Sequence, residues 1–203
     1  MFYLFLYLMK PILWLIFRPK TYGNRKALAI KGKAIYICNH IAMTDPLILA
    51  IVSPRIIHFM AKKEVFEKPI GKLFFKSLFV FPVDRGNADL KSLKNAFKLL
   101  EKGKVFGIFP EGRRMVADRM DEFEHGTAFV AMRSGAPVVP IYLANDSYKK
   151  GKRPRLIVGD PIYAKDSAMQ ASRRENELLF TQRMRNTLEA LKTKLEELEE
   201  KCS

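Results

Sequence analysis

The chain is poor in the residues that most often announce a function. Only two cysteines occur, Cys38 inside an apolar run and Cys202 at the tail, so no disulfide framework is implied and a reducing compartment is favoured. No metal-ligand cluster, P-loop or GxGxxG fingerprint is present, which leaves zinc and nucleotide chemistry without support. There is no internal repeat and no low-complexity linker. Acid is scarce as well: 21 Asp and Glu oppose 36 Lys and Arg, a net charge of +15. A protein this basic meets something negative, whether nucleic acid, an anionic bilayer or phosphorylated substrates.

The location of the excess narrows that choice. Residues 1–76 hold thirteen Lys and Arg against Asp45, Glu64 and Glu67, a local charge of +10. The same third of the chain holds the most hydrophobic stretch, Met1 to Phe17, interrupted only at Lys10-Pro11. That stretch lacks the basic start and small-residue cleavage site of a secretory signal, and it falls short of the roughly 20 apolar residues of a spanning helix. We expect an interfacial or partly inserted anchor, with Tyr3, Tyr7 and Trp14 at headgroup depth and Arg18, Lys20, Arg25 and Lys26 facing anionic lipid. The alternative is a helix packed on the domain. Lipid-like residues interleaved with the basic ones favour a membrane surface over nucleic acid, at the cytoplasmic face of the cell membrane.

A content of 48% apolar and 28% charged residues is globular, and 203 residues suit one well-buried domain. The expected division is a membrane-associating segment over 1–26 and an α/β domain over 27–203. Short apolar runs predict strands over 34–38, 55–60, 79–83, 104–109, 138–143 and 156–158. Periodic segments between them predict helices over 46–52, 88–102 and 127–133. Helices alternating with buried strands mean a central, mostly buried sheet flanked by helices. A long helix over about 167–201 repeats Met184, Leu188, Leu191, Leu195 and Leu198 at 4-3-4-3 spacing. That pattern fits a coiled-coil seam or packing on the domain.

Polar residues with chemical potential stand where the strands end. His40 closes the first strand, and Asp45 follows at the start of a helix whose Pro46 suits the first helical position. A turn between them lets the carboxylate fold back, one oxygen capping helical amides and the other orienting the imidazole. That is the form of a general base with its partner. Asp84-Arg85-Gly86 and Glu111-Gly112-Arg113-Arg114 follow two further strands. In open α/β sheets sites collect at such ends, and guanidiniums there hold phosphate through forked, charge-assisted bonds.

Four segments carry a resemblance: Asn39-His40-x4-Asp45, Phe81-Pro82-Val83-Asp84-Arg85-Gly86, Phe109-Pro110-Glu111-Gly112 and Val138-Val139-Pro140. In this order they resemble the four blocks of the glycerolipid acyltransferases, most closely the bacterial 1-acylglycerol-3-phosphate type. The resemblance implies a membrane-surface α/β acyltransferase domain without metal or bound cofactor. Such a domain moves an acyl chain from acyl-carrier protein or coenzyme A to the sn-2 hydroxyl of lysophosphatidic acid. It makes His40 the general base, Asp45 its orienting partner, and Lys62, Arg85 and Arg114 the phosphate ligands, with Glu111 and Gly112 organising that loop. Two positions depart from the pattern: Ala42 replaces a frequent serine, and Arg113 replaces the threonine of EGTRS. Glycerol-3-phosphate or another lysophospholipid would use the same base. A non-catalytic basic membrane protein on the same fold is the alternative from another class.

Overall fold

Runs such as Ala34-Ile-Tyr-Ile-Cys38 and Val138-Val-Pro-Ile-Tyr-Leu143 show no polar alternation, and strands of that kind must be covered on both faces. The computed structural model describes residues 2–62, 80–83, 90–115, 120, 122–124, 126–149, 151–166 and 172–201, with the backbone alone at 2–8, 61–62, 80–83 and 90–91. Among these residues seven strands form one sheet: β1 (Lys20–Gly23), β2 (Ala34–Cys38), β3 (Ile57–Lys62), β4 (Val80–Val83), β5 (Val105–Ile108), β6 (Val138–Leu143) and β7 (Arg155–Val158). Their order is β1-β7-β6-β2-β5-β3-β4. The strands β6, β2, β5, β3 and β4 are parallel, β7 runs antiparallel to β6, and β1 is parallel to β7.

The helices are α1 (Phe2–Phe17), α2 (Asp45–Val52), α3 (Leu90–Glu101), α4 (Gly126–Ser134) and α5 (Arg173–Glu200). Successive β2 residues divide between two cores, as the period of two requires. Ile35 and Ile37 join Phe106, Val138, Ala128, Val130 and the α5 residues Phe180, Met184 and Leu188. Ala34, Tyr36 and Cys38 join Ile48 and Leu49 of α2 with Phe59, Val139 and Ile141. The result is one sheet between two helical layers, as the apolar pattern predicts.

The connections place the site. Strand β2 leaves through α2 toward β3, across one face, and β5 leaves through α4 toward β6, across the other. These neighbouring strands therefore part in opposite directions, which opens a crevice at their carboxyl ends.

One sequence expectation changes, and two other segments gain detail. Residues 20–23, assigned to the membrane segment, pair with Arg155 to Val158 as β1, so the sheet begins before residue 27. A four-residue edge strand with one aromatic carries too little pattern to stand out. Its Gly23 sits at φ +75°, and a Cβ there would lie 2.2 Å from the Val158 carbonyl oxygen.

The helix α1 runs on through Lys10-Pro11, where the apolar stretch is interrupted. Its Leu13 and Phe17 pack against the α2-side core, and the Lys10 ammonium donates to the carbonyl of Ser53 at the end of α2. Ile12, Trp14, Leu15 and Ile16 stay exposed, so one side of α1 packs and the other faces out. Among the described residues no helix is long and apolar enough to cross a membrane.

The α5 stripe resolves in favour of the domain. Met184, Leu188, Leu191 and Leu195 are buried in the core, and a capping box between Ser172 and Glu175 starts the helix. The positions 167–171 of the expected helix lie outside the described residues.

Candidate active site

The crevice is built from strand ends. Directly after β2, the Asn39 side chain donates to the Leu143 carbonyl at 2.8 Å and accepts from the Leu143 amide at 2.8 Å. This two-way bond fastens the end of β2 to the end of β6 with the Asn39 side chain fully buried. His40 therefore leaves the sheet from a fixed point. Its carbonyl accepts from the Met115 amide at 2.7 Å, which brings the segment after β5 over the same place.

A turn then returns Asp45 to the imidazole. Asp45 Oδ2 lies 2.7 Å from His40 Nδ1 and also accepts the amides of Ile41 at 2.7 Å and Ala42 at 2.8 Å. Tyr148 donates its hydroxyl to Oδ1 at 2.8 Å. Asp45 is fully buried, and four donors compensate the cost of burying its charge. The capping expectation is corrected in one respect: the carboxylate faces back to the turn amides before α2, not to the helical amides after it. Pro46 occupies the first turn and has no N–H to offer, and the N-cap position, Thr44, makes no side-chain cap.

An ionised carboxylate only accepts, so Nδ1 carries the imidazole proton and Nε2 keeps its lone pair. The His40 side chain is 18% exposed while Asp45 is closed off, so the imidazole is the member of the pair that can meet a substrate. The ring is also held from its face. Phe109 stacks on it at 4.2 Å between centroids, and Phe59 stacks on Phe109 at 5.8 Å. Room for that stack comes from Gly107 in β5, where a Cβ would lie 2.4 Å from Cε1 of Phe59.

Electrostatics assign the protons nearby. Burial, with the carboxylates of Asp45 and Glu111 adding to it, pushes the Cys38 thiol well above its usual range, so it is no nucleophile. Burial and then the Asp45 charge push the Tyr148 phenol upward, so it keeps its proton and acts as a donor.

The remaining expected residues are placed as follows. Glu111 is buried at the carboxyl end of β5. Gly112 has φ +67°, a backbone conformation that favours glycine at this turn. Arg114 is exposed, next to the Met115 amide bound to His40. Lys62 ends β3, paired with Val83 at the end of β4, on the same sheet edge. Arg85 lies outside the described residues. Tyr148 escaped the sequence reading because it comes 103 positions after Asp45 with no local pattern to join them. Its one sequence signal is the turn-forming Asn145-Asp146-Ser147 after a buried strand, the same strand-end rule that finds His40 and Glu111.

A buried carboxylate locked to one nitrogen of a partly exposed imidazole, at the crevice of a mainly parallel sheet, marks an α/β protein with a His–Asp site. The comparisons carry this further. A family model described as Acyltransferase matches residues 19–144, and the chain belongs to that family. It is 34% identical over 196 residues to a 1-acyl-sn-glycerol-3-phosphate acyltransferase of Bacillus subtilis, covering 94% of this chain and 96% of that one. A protein of the same name from Cocos nucifera is 29% identical over 141 residues, which are 66% of this chain and 44% of its own. The crystal structure of the 1-acyl-sn-glycerophosphate (LPA) acyltransferase, PlsC, from Thermotoga maritima superposes with a TM-score of 0.69 at 19% identity, over 96% of this chain and 78% of that one. At that identity the likeness is one of fold.

Proposed function

We propose that the protein acylates the sn-2 hydroxyl of 1-acyl-sn-glycerol-3-phosphate, with a thioester of acyl-carrier protein or coenzyme A as donor. The observation that carries this is the His40–Asp45 pair, with 2.7 Å between Nδ1 and Oδ2 and the other imidazole nitrogen left basic. Nε2 takes the hydroxyl proton as the oxygen attacks the thioester carbon. The C–S bond then breaks, and the proton passes from the imidazolium to the departing thiolate. No metal or bound cofactor enters any of these steps. Lys62, Arg85 and Arg114 hold the acceptor phosphate, and the buried Glu111 with Gly112 shapes the loop that presents Arg114. An anionic carboxylate suits that organising role and not a phosphate contact.

The enzyme works at a membrane surface, at the cytoplasmic face. The exposed Ile12, Trp14, Leu15 and Ile16 of α1 support this, as do Arg18, Lys20, Arg25 and Lys26 after it, all exposed. His40→Ala in the purified protein should lower turnover by about 10² to 10⁴, the usual weight of general-base catalysis. Near-wild-type turnover would remove the mechanism. An acceptor panel read by mass spectrometry, run with one acyl-carrier-protein and one coenzyme A thioester, tests the substrate. Lysophosphatidic acid should be the best acceptor, and failure with every phosphorylated acceptor would sink the phosphate assignment.

A further inference from the structure

Tyr148 joins two facts that do not ordinarily go together. Its residue is 37% exposed, so it is not a core side chain, yet its hydroxyl reaches a fully buried carboxylate at 2.8 Å. The loop that carries it is tied down at several points. Ser147 donates its amide to the Ala144 carbonyl at 3.0 Å, and its hydroxyl accepts from the Arg155 amide at 3.2 Å. The Arg155 guanidinium bridges Asp146 of the same loop and Glu199 near the end of α5. A residue delivered so firmly to the oxygen that His40 does not use acts on the geometry of the pair.

We propose that Tyr148 is a positioning residue for acyl transfer, its hydroxyl fixing the Asp45 carboxylate so that Oδ2 stays on His40 Nδ1. The bond works in two ways. It adds a second anchor, on Oδ1, against rotation of the carboxylate about its last torsion, beside the turn amides on Oδ2. It also draws negative charge toward Oδ1, which moderates the hold of Asp45 on a protonated imidazole. Without the hydroxyl the pair is less well aimed, and the carboxylate attracts a protonated imidazole more strongly. Cys38 from β2 and Glu111 beyond β5 face the same region, and the substitution leaves both in place, so the change reads the hydroxyl alone.

The test rests on the acyl-transfer reading for its kinetic part and is independent of it for the other. In the full-length chain, Tyr148→Phe should lower kcat about tenfold with little change in the KM of the acceptor, the order of one hydrogen bond to a charged group. The acid limb of kcat/KM, followed from about pH 5 to 9, should move upward by about half a unit. The Nδ1 proton of His40, identified by its absence in His40→Gln, should shift downfield in the NMR spectrum of Tyr148→Phe. An unmoved acid limb, even with reduced turnover, would mean packing only and overturn the proposal. The resonance needs no turnover, so if the wild type fails to transfer acyl groups, an unshifted Nδ1 proton still overturns it and a shifted one upholds it.

Discussion

At Gly107 the absence of a side chain decides how the imidazole is held. A Cβ there would lie 2.4 Å from Cε1 of Phe59 and 2.6 Å from Cγ2 of Ile57, both on neighbouring β3. Phe59 therefore lies across β5, reaches Phe109, and Phe109 covers the His40 ring. Gly107→Ala should destabilise the fold by about 1–3 kcal/mol through overpacking, measured by chemical denaturation. It should also lower kcat more than it raises KM, because it disturbs the base through two rings without touching substrate. Full stability with full turnover would show that the stack is not set from β5. At this scale the His40–Asp45 contact was legible in the sequence because a strand end, a turn and Asp-Pro let the carboxylate fold back to the imidazole, and the four ordered blocks singled the pair out. The direction of the carboxylate was not legible, because the amides of Ile41 and Ala42 compete for it and only the folded turn decides. Tyr148 and the Gly107–Phe59 contact were hidden for a simpler reason: each joins residues on different strands or loops.

Among the elements, the buried strands were the most legible, and β2 and β6 fall on the predicted residues because both lie between neighbours with both faces covered. The edge strand β1 was missed, since an edge can be half polar and still pair. The α5 stripe was visible, but its partner was not, because periodicity marks which face is apolar and not what covers it. The β3–β5 pair also carries a titratable group. His58 of β3 is buried with Nδ1 3.3 Å from the Val105 carbonyl of β5, and burial foremost, then the charge of Lys104, holds it below its usual range. The folded state thus prefers the neutral ring, and the unfolded chain takes up its proton first, near pH 6.5. This contribution to stability is fully present above that pH and is lost as pH falls from there through the lowered folded value. The slope reaches at most about 1.4 kcal/mol per pH unit. Urea denaturation between about pH 7 and 5 should show the loss, and His58→Gln should flatten it. An equal slope in that variant would assign the dependence to other groups.

At the scale of the whole molecule, α1 joins the domain to an outward-facing apolar side. One side of α1 is committed to the domain through Leu13, Phe17 and the Lys10–Ser53 bond, so the other side has a fixed orientation. Ile12, Leu15 and Ile16 are 49%, 68% and 66% exposed there, too large an apolar group to leave in water without a purpose. Arg18, Lys20, Arg25 and Lys26 follow within nine residues of Phe17, which adds attraction for anionic headgroups to the apolar contact. A helix of 16 residues is about 24 Å long, below the roughly 30 Å of a bilayer core. Replacing Ile12, Leu15 and Ile16 together by serine should weaken binding to phosphatidylglycerol vesicles by at least about tenfold, in line with the apolar area withdrawn. Thermal stability should stay close to wild type, since these side chains contribute little to the core. Raising salt should weaken the wild type on anionic vesicles and leave neutral ones nearly unchanged. Acyl transfer to a short-chain, water-soluble acceptor should survive the triple substitution while transfer to vesicle-borne lysophosphatidic acid falls. Loss of both activities in a protein with unchanged melting would mean that α1 serves the site directly and not the surface.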